Sequence, residues 1–226
     1  MCGIVGYIGK KYNALNVLIS GLERLEYRGY DSAGIAYVEG KTLKIEKEKG
    51  KISNLKSAID VNIPSNLGIG HTRWATHGKP AKENSHPHMD NSNTFAVVHN
   101  GIIENYADLR EFLTSKGYSF ISQTDTEVIP NLIHYHYSNG PVSVIKDIKE
   151  KVLSAVKTAV QDLKGSYALE IISSLYPEDL VVVRKDSPLV IGTNQEGVLI
   201  ASDIPTISCE CEDYYLLNDL EWAIVS

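Results

Sequence analysis

Strand-like patterns occupy both ends of this 226-residue chain, and amphipathic helical patterns fill its middle. Strands are predicted at 4–8, 32–39, 42–48, 67–72, 94–99, 167–173, 180–185, 188–191, 198–202, 214–218 and 221–225. Strands so close together in sequence favour antiparallel pairing, and their apolar faces need a common core. The pattern therefore predicts a single α+β domain over residues 1–226, with two stacked antiparallel sheets between helical layers in a four-layer α/β/β/α sandwich.

The helical patterns are stripes of apolar residues three and four positions apart. Helices are predicted at 15–25, at 55–59, at 105–116, from 124 onward and at 141–163. Thr124 and Glu127 have the spacing of a capping box at the start of the fourth of these helices. Near the C-terminus, Cys209 and Cys211 alternate around Glu210, which predicts a strand with both cysteines packed on one face in the core.

Composition and charge exclude several classes of protein. Hydrophobic residues make up 43% of the chain and charged residues 22%, which is typical of a globular protein and not of a disordered or membrane protein. The formal net charge is -6, and no basic cluster alternates with aromatic residues, so we expect no nucleic-acid partner. Three cysteines do not form a disulfide framework, and residues 2–9 lack the features of a signal peptide. We therefore expect a cytoplasmic protein with no membrane partner.

The second residue offers a catalytic group at the start of the chain. If Met1 is removed, Cys2 carries both a thiol nucleophile and a free α-amine that can act as its base. The pKa of an α-amine is about 7.7 to 8.0, so it can accept a proton near neutral pH without a partner histidine. The ordinary interpretation of such a cysteine is a small buried hydrophobic residue. The rest of the sequence decides between the two.

Five polar or glycine-containing patches interrupt the structural periodicity. They are residues 1–3, 28–34, 71–78, 99–101 and 123–127. Each has a structural explanation when taken alone, since Asn100 and Gly101 would form a turn, and Arg28 with Asp31 a surface ion pair. Their order along the chain carries more information than any one of them.

In this order, the five patches resemble class II glutamine amidotransferases, whose amidohydrolase domain belongs to the N-terminal nucleophile hydrolases. Residues 24–34, 71–78 and 99–105 are most similar to one branch of that class, the glutaminase domains of glucosamine-6-phosphate synthases, which aminate fructose 6-phosphate. The resemblance extends from Cys2 to the C-terminus. It implies an N-terminal nucleophile hydrolase fold and the hydrolysis of L-glutamine to L-glutamate and ammonia.

The resemblance also implies the catalytic groups. Cys2 would attack the carboxamide carbon of glutamine and form a thioester after ammonia leaves. The side-chain amide of Asn100 and the backbone N–H of Gly101 would form the oxyanion hole. Loss of one such donor typically lowers the rate by about a hundredfold or more. A residue without Cβ at position 101 would let the backbone approach the substrate closely.

Four further residues resemble substrate-binding positions of the family. Arg73 would bind the α-carboxylate of glutamine, for which a forked guanidinium is suited. Asp125 would accept hydrogen bonds from the α-ammonium group. Thr76 and His77 would line the same pocket. Together the two charged groups would distinguish free glutamine from a glutamine residue within a peptide.

Two residues have supporting roles by resemblance. Trp74 matches an aromatic residue at the mouth through which ammonia leaves, and we interpret residues 73–80 as a lid that excludes water from the site. Arg28 resembles an arginine beside the nucleophile, and we expect it to orient the N-terminus.

The sequence contains two His-x-His pairs, His86 with His88 and His134 with His136. Such pairs occur in metal sites. The two pairs lie on opposite sides of a predicted helix, and the reaction of the family uses no metal. We therefore expect neither a metal nor a cofactor.

Full-length enzymes of this branch carry a sugar-phosphate isomerase domain after a domain like this one, and residues 1–226 have no counterpart of it. We therefore expect an isolated glutaminase domain whose partners are L-glutamine and that isomerase domain, with a homodimer formed through the missing region. Two alternatives stay open. One is another class II enzyme, such as a phosphoribosyl-pyrophosphate or asparagine-forming amidotransferase, and the other is a non-catalytic glutamine-binding module in which Met1 is retained.

Overall fold

The structure is a computed structural model that describes residues 2–74 and 79–226. Its strands are β1 (Gly3–Gly9), β2 (Ser32–Glu39), β3 (Thr42–Lys49), β4 (Leu67–Arg73), β5 (His88–Met89), β6 (Phe95–Ile103), β7 (Gly165–Ser173), β8 (Leu180–Lys185), β9 (Val190–Asn194), β10 (Gly197–Ala201), β11 (Asp213–Leu216) and β12 (Trp222–Val225). Its helices are α1 (Ala14–Arg24), α2 (Ile52–Ala58), α3 (Tyr106–Ser115), α4 (Val128–Asn139), α5 (Ile148–Asp162) and α6 (Ile204–Ile207). Within the described ranges, no helix has the length and apolar character needed to cross a membrane.

Seven strands form one antiparallel sheet in the order β11-β9-β10-β1-β4-β2-β3. The N-terminal strand β1 lies inside this sheet, and Val5 is opposite Gly70 of β4 on one side and Ala201 of β10 on the other. Antiparallel neighbours run in opposite directions. The first residues of β1 therefore lie beside the last residues of β4 and β10, so the ends of three strands meet on one side of the sheet.

The other five strands form a second antiparallel sheet in the order β12-β8-β7-β6-β5. Strands β6 and β7 pair along their full length, from Phe95 opposite Ser173 to Ile103 opposite Gly165. This pairing includes Asn100 opposite Ala168 and Gly101 opposite Tyr167. The C-terminal half of β6 therefore has a defined register against its neighbour.

Alternation along the strands assigns each face of a sheet to a different layer. Ile4 of β1 and Val98 of β6 point into the core between the two sheets. On the outer face of the seven-stranded sheet, Val5 packs with apolar residues of α1 and α2. On the outer face of the other sheet, Val97 packs with α4 and α5. The predicted sandwich of two antiparallel sheets between helical layers is confirmed.

One carboxyl group lies in the core between the sheets. Glu170 of β7 is fully buried, and its two oxygens have no hydrogen-bond partner among the described residues. A Cβ atom on Gly6 of β1 would lie 2.6 Å from Oε2 of Glu170, so the glycine provides the space that this carboxyl group occupies. Burial raises the pKa of Glu170 well above its ordinary value, because the charged form of the carboxyl group would be separated from water.

The prediction of one long helix over 141–163 is wrong. A short 3-10 turn spans Pro141–Val144, and α5 begins only at Ile148. The interruption occurs because the side chain of Asp147 caps a new helix, accepting a hydrogen bond from the backbone N–H of Glu150 at 2.8 Å.

The predicted capping box of Thr124 and Glu127 is also wrong. Helix α4 begins at Val128, and its N-terminus has no side-chain cap. The carboxylate of Glu127 instead accepts hydrogen bonds from the backbone N–H groups of Ile121 and Ser122, at 3.0 and 2.7 Å. Glu127 therefore holds the loop before the helix and does not cap the helix itself.

The strand predicted around Cys209 and Cys211 is absent from the described structure. The turn that follows helix α6 begins this segment, which leaves Cys209 exposed and Cys211 half-buried. The alternation was misleading here because Asp203 caps α6, its side chain accepting a hydrogen bond from the backbone N–H of Thr206 at 3.1 Å.

Candidate active site

Cys2 lies where the start of β1 meets the end of β4. Gly3 is opposite Thr72, so Cys2 lies beside the backbone that leaves β4. Its Sγ accepts a hydrogen bond from the backbone N–H of Trp74 at 3.3 Å, and the carbonyl oxygen of Trp74 is 3.6 Å away. Backbone contacts thus define the position of the thiol.

Burial raises the pKa of the Cys2 thiol, while the N–H of Trp74 and the guanidinium groups of Arg73 and Arg28 act in the opposite direction. The thiol is therefore protonated near neutral pH and needs a base before it can act as a nucleophile. The predicted base, the α-amine of Cys2, depends on removal of Met1. Met1 lies outside the described residues.

Asn100 and Gly101 lie near the end of β6 and come from the opposite sheet. The side-chain nitrogen of Asn100 donates to the carbonyl oxygen of Cys2 at 3.1 Å, which joins the two sheets at the site. Gly101 has a φ of +127°, and a Cβ atom there would lie 2.1 Å from the carbonyl oxygen of Ser166. The backbone conformation and the close pairing with β7 both require glycine at this position.

Arg73 and Asp125 bring opposite charges to the same site. Arg73 is 4% exposed, and its guanidinium donates to the carbonyl oxygen of Lys79 at 3.4 Å. Burial lowers the pKa of Arg73, and Cys2, Asp31 and Asp125 oppose that shift. The carboxylate of Asp125 accepts a hydrogen bond from the backbone N–H of Ile103 at 2.8 Å, which anchors it to the end of β6.

Arg28 connects the start of β1 to the segment after β10. Its Nε donates to the carbonyl oxygen of Cys2 at 3.2 Å, and its Nη1 pairs with Asp203 at 2.8 Å. The hydroxyl of Tyr27 donates to the same carboxylate oxygen at 2.5 Å. Burial alone would raise the pKa of Asp203, but hydrogen bonds from Thr206, Tyr27 and Arg28 outweigh it and lower the pKa. Asp203 is therefore ionised and holds Arg28 against the backbone of Cys2.

Trp74 follows β4 and is 43% exposed. Its indole packs edge-on against Tyr30, with ring centroids 5.3 Å apart. The two other residues predicted in this segment, Thr76 and His77, lie outside the described residues, as do 75 and 78 of the predicted lid.

The predicted residues that the structure describes line one cavity of about 350 Å³. They are Cys2, Arg28, Arg73, Trp74, Asn100, Gly101 and Asp125. The volume is in the range of small-molecule sites. A thiol, polar hydrogen-bond donors, two guanidinium groups and one carboxylate therefore face a common space.

Sequence reasoning did not assign a role to two residues that contact the site directly. The hydroxyl of Ser202, just after β10, accepts hydrogen bonds from the N–H of Ile4 at 2.8 Å and from Nδ2 of Asn100 at 3.2 Å. Nε2 of His71, on β4, lies 3.0 Å from Oδ1 of Asn100. Position 71 belongs to a conspicuous patch, but nothing near Ser202 in the sequence indicates such a contact.

His86 and His88, one of the two His-x-His pairs, belong to a buried cluster in which His86 lines the cavity. The ring of His86 stacks on that of His71 with centroids 4.1 Å apart, and His88 meets His86 edge-on at 5.0 Å. Among residues 2–74 and 79–226, no group of three or more His, Cys, Asp or Glu side chains is arranged to hold a metal.

Comparison with known proteins identifies the family of this chain. The family model described as a glutamine amidotransferase domain matches residues 71–209, more than half of the chain. The chain belongs to the glutamine amidotransferase family. Two curated members, both named glutamine–fructose-6-phosphate aminotransferase (isomerizing), are similar over 100% of this chain. The protein from Clostridium perfringens is 51% identical and that from Methanosarcina acetivorans 48% identical.

This amidotransferase chain spans about a third of the length of those relatives, 35% and 36% respectively. Among solved structures, the glutamine phosphoribosylpyrophosphate amidotransferase from B. subtilis, complexed with ADP and GMP, has a TM-score of 0.80 at 26% identity. The match covers 99% of this chain and 47% of that one. The sandwich described above is therefore also the fold of the matching part of that amidotransferase.

Proposed function

We propose that this chain hydrolyses L-glutamine to L-glutamate and ammonia and is the glutaminase part of an enzyme that makes glucosamine 6-phosphate from fructose 6-phosphate. The observation that carries the proposal is the single cavity shared by the Cys2 thiol, the Asn100 amide and the opposite charges of Arg73 and Asp125. The proposed reaction uses only these protein groups and water, without a metal or cofactor.

The first step forms a thioester. The α-amine of processed Cys2 takes the thiol proton, and the sulfur attacks the carboxamide carbon of glutamine. The C–N bond then breaks, and the leaving nitrogen receives the proton and departs as ammonia. In the second step water gives a proton to the α-amine and attacks the thioester, and the C–S bond breaks. The sulfur takes that proton, so the free thiol is restored and glutamate is released.

Negative charge develops on the carboxamide oxygen in both steps. We assign its stabilisation to the side-chain amide of Asn100 and the backbone N–H of Gly101. Support for this comes from the position of both residues on the cavity and from the positive φ of Gly101, which only glycine adopts easily. Such donors act most strongly when they are already oriented before the reaction.

The head of the substrate is a zwitterion. We assign the α-carboxylate to Arg73 and the α-ammonium to Asp125, and we expect Thr76 and His77 to complete the pocket. Arg28 would hold the backbone of Cys2, as its hydrogen bond to that carbonyl oxygen suggests. Trp74, exposed at the rim, would border the exit of ammonia.

Similarity supports the hexosamine branch over other class II enzymes. Identity is 51% to the aminotransferase from Clostridium perfringens and 26% to the phosphoribosylpyrophosphate amidotransferase. We propose that residues 1–226 are one glutaminase domain in the cytoplasm, and that a sugar-phosphate isomerase domain of a longer enzyme receives the ammonia. We further propose that any homodimer forms through that other domain, so that this chain alone is a monomer of about 25 kDa.

Ammonia release from L-glutamine tests the function, with the N-terminus of the protein verified by intact mass. We expect turnover in protein that lacks Met1 and a loss of at least about a hundredfold in Cys2→Ala, because the nucleophile is gone. Glucosamine 6-phosphate should not form from this chain with glutamine and fructose 6-phosphate. Equal activity of the two proteins would exclude the thioester mechanism, and glutamine binding without turnover in processed protein would favour a binding module.

A further inference from the structure

We propose that His71 is a positioning residue for the oxyanion hole, because it holds the side-chain amide of Asn100 with its nitrogen facing Cys2. The inference rests on the proposed glutaminase function and adds to it a residue that would act through Asn100 and not on the substrate.

The hydrogen bonds of Asn100 determine which way its amide faces. The group 3.1 Å from the carbonyl oxygen of Cys2 must be the nitrogen, because that oxygen can only accept. The amide oxygen then faces His71, at 3.0 Å from Nε2. An amide oxygen also only accepts, so Nε2 of His71 must carry a hydrogen.

The environment of His71 leaves the ring neutral. The side chain is 1% exposed, and burial lowers its pKa to about 3, although the hydrogen bond with Asn100 acts in the opposite direction. The positive charge of Arg73 nearby and the neighbouring His99 also lower it. The ring therefore has a single proton near neutral pH, and the bond to Asn100 places that proton on Nε2.

Neighbouring side chains hold the ring in place. His86 stacks on His71 with an interplanar angle of 20°. Nδ1 of His86 accepts from the backbone N–H of His99 at 3.4 Å, so its Nε2 carries the proton and donates to the hydroxyl of Thr126 at 3.3 Å. That hydroxyl then donates to Nδ1 of His99 at 2.9 Å. The result is a closed set of hydrogen bonds among three buried residues.

This set joins the segment that carries Asn100 to the segment that carries Asp125. His99 directly precedes Asn100 on β6, and Thr126 directly follows Asp125. If His71 lost its donor, the amide of Asn100 could rotate and present its oxygen to the developing negative charge. A donor would then become a repulsive acceptor, while the thiol of Cys2 would stay in place.

Steady-state kinetics of two variants and a control test the assignment. His71→Leu removes the donor at similar volume, His71→Gln keeps an N–H at comparable reach, and His134→Leu changes a histidine of α4 that bonds Tyr118 outside the site. We expect His71→Leu to lower kcat by about 10- to 100-fold with KM changed by less than about twofold. His71→Gln should recover most of this loss, and His134→Leu should leave kcat unchanged.

Alkylation of Cys2 by iodoacetamide separates positioning from collapse of the site. This reaction displaces iodide from carbon without forming an oxyanion, so its rate should be the same in wild type and His71→Leu. It is followed by mass on the N-terminal peptide, because Cys209 is exposed and also reacts. A parallel loss of alkylation and hydrolysis would overturn the proposal.

A double-mutant cycle gives a second decision. In an Asn100→Ala background, His71→Leu should produce no further loss of kcat, because the amide it orients is gone. A full additional loss would show that His71 acts independently of Asn100 and would overturn the assignment.

Nitrogen-15 spectra of the histidine rings test the geometry without any turnover. His71, identified by its absence in His71→Gln, should be neutral with its proton on Nε2 between about pH 5.5 and 8. A proton on Nδ1 or a charged ring would overturn the proposal even in an active enzyme. Failure of the wild type to hydrolyse glutamine would instead count against the proposed function. The spectra would still decide whether the proton of His71 is on Nε2.

Discussion

At the residue scale, the site places a cation and an anion in one small cavity. Arg73 is anchored through the backbone of Lys79, and Asp125 through the backbone N–H of Ile103. Both groups are therefore held before a ligand arrives, which reduces the loss of side-chain entropy on binding. A free amino acid presents complementary charges, whereas a glutamine residue inside a peptide lacks both.

Asp125→Asn tests the negative charge of Asp125 separately from the hydrogen bond that its side chain accepts from Ile103. Asparagine keeps an oxygen that can accept from Ile103 but carries no charge to attract an α-ammonium group. We expect KM for glutamine to rise by about 10- to 100-fold, since hydrogen bonds to charged groups contribute about 1.5 to 3 kcal/mol, with a smaller effect on kcat. The exposed Asp108→Asn on α3 is the charge-matched control. The same KM in all three proteins would exclude a role for Asp125 in binding.

The candidate site could be predicted at the residue scale only where it coincides with contiguous motifs. Arg73, Asn100 and Gly101 stand in patches that can be recognised along the chain, and the structure places them together. Ser202 reaches the site because β10 pairs with β1, a partner far away in sequence. Such a contact depends on strand order, which local periodicity does not encode.

At the element scale, periodicity predicted most of the strands and the apolar faces of the helices well, but it gave a strand around Cys209 and Cys211 that does not form and misjudged two helix starts. The prediction of one helix over 141–163 followed the apolar stripe and overlooked the spacing of Asp147 and Glu150, which is itself a signal for the start of a helix. Before α4 the same spacing separates Thr124 from Glu127, but there the carboxylate of Glu127 binds the backbone of the preceding loop. A polar pair three residues apart indicates that a side chain accepts a local hydrogen bond, but it does not indicate which backbone N–H group donates that bond.

Glu127→Gln tests the loop that precedes α4. The carboxylate accepts from two backbone N–H groups with its two oxygens, and glutamine has only one oxygen for them. One buried donor would then face an NH2 group, and we expect the free energy of unfolding to fall by about 1 to 3 kcal/mol. Chemical denaturation measures this, with the exposed Glu111→Gln of α3 as control. An equal effect of the two substitutions would contradict the assigned contacts.

At the scale of the whole molecule, the core between the sheets contains a carboxyl group, that of Glu170, whose pKa depends on its burial. Because the pKa of Glu170 is raised in the folded chain, the folded state keeps this proton at pH values where the unfolded state, with an ordinary pKa of about 4.3, has released it. The stability contribution is therefore fully present below that unfolded pKa, and it is lost as pH rises toward the folded pKa.

The difference in stability between Glu170→Leu and wild type should consequently increase with pH. We expect a slope of up to about 1.4 kcal/mol per pH unit above about pH 5, measured by urea denaturation at several pH values. Glu170→Gln, which cannot ionise, should also lose this slope while retaining a buried polar group. A difference that does not vary with pH would show that Glu170 is not a proton-linked group.

The position of β1 has a consequence for the order in which the molecule can form during synthesis. Val5 pairs with Gly70 on one side and with Ala201 on the other, so β1 can complete its pairing only after β10 has been synthesised. Contacts between residues so distant along the chain form slowly. A nascent chain that stops before Gly197 has the thiol and most of the cavity residues in its sequence but no strand to close the sheet beside them. The cavity beside Cys2 can therefore be completed only after β10 has been synthesised, long after Cys2 itself.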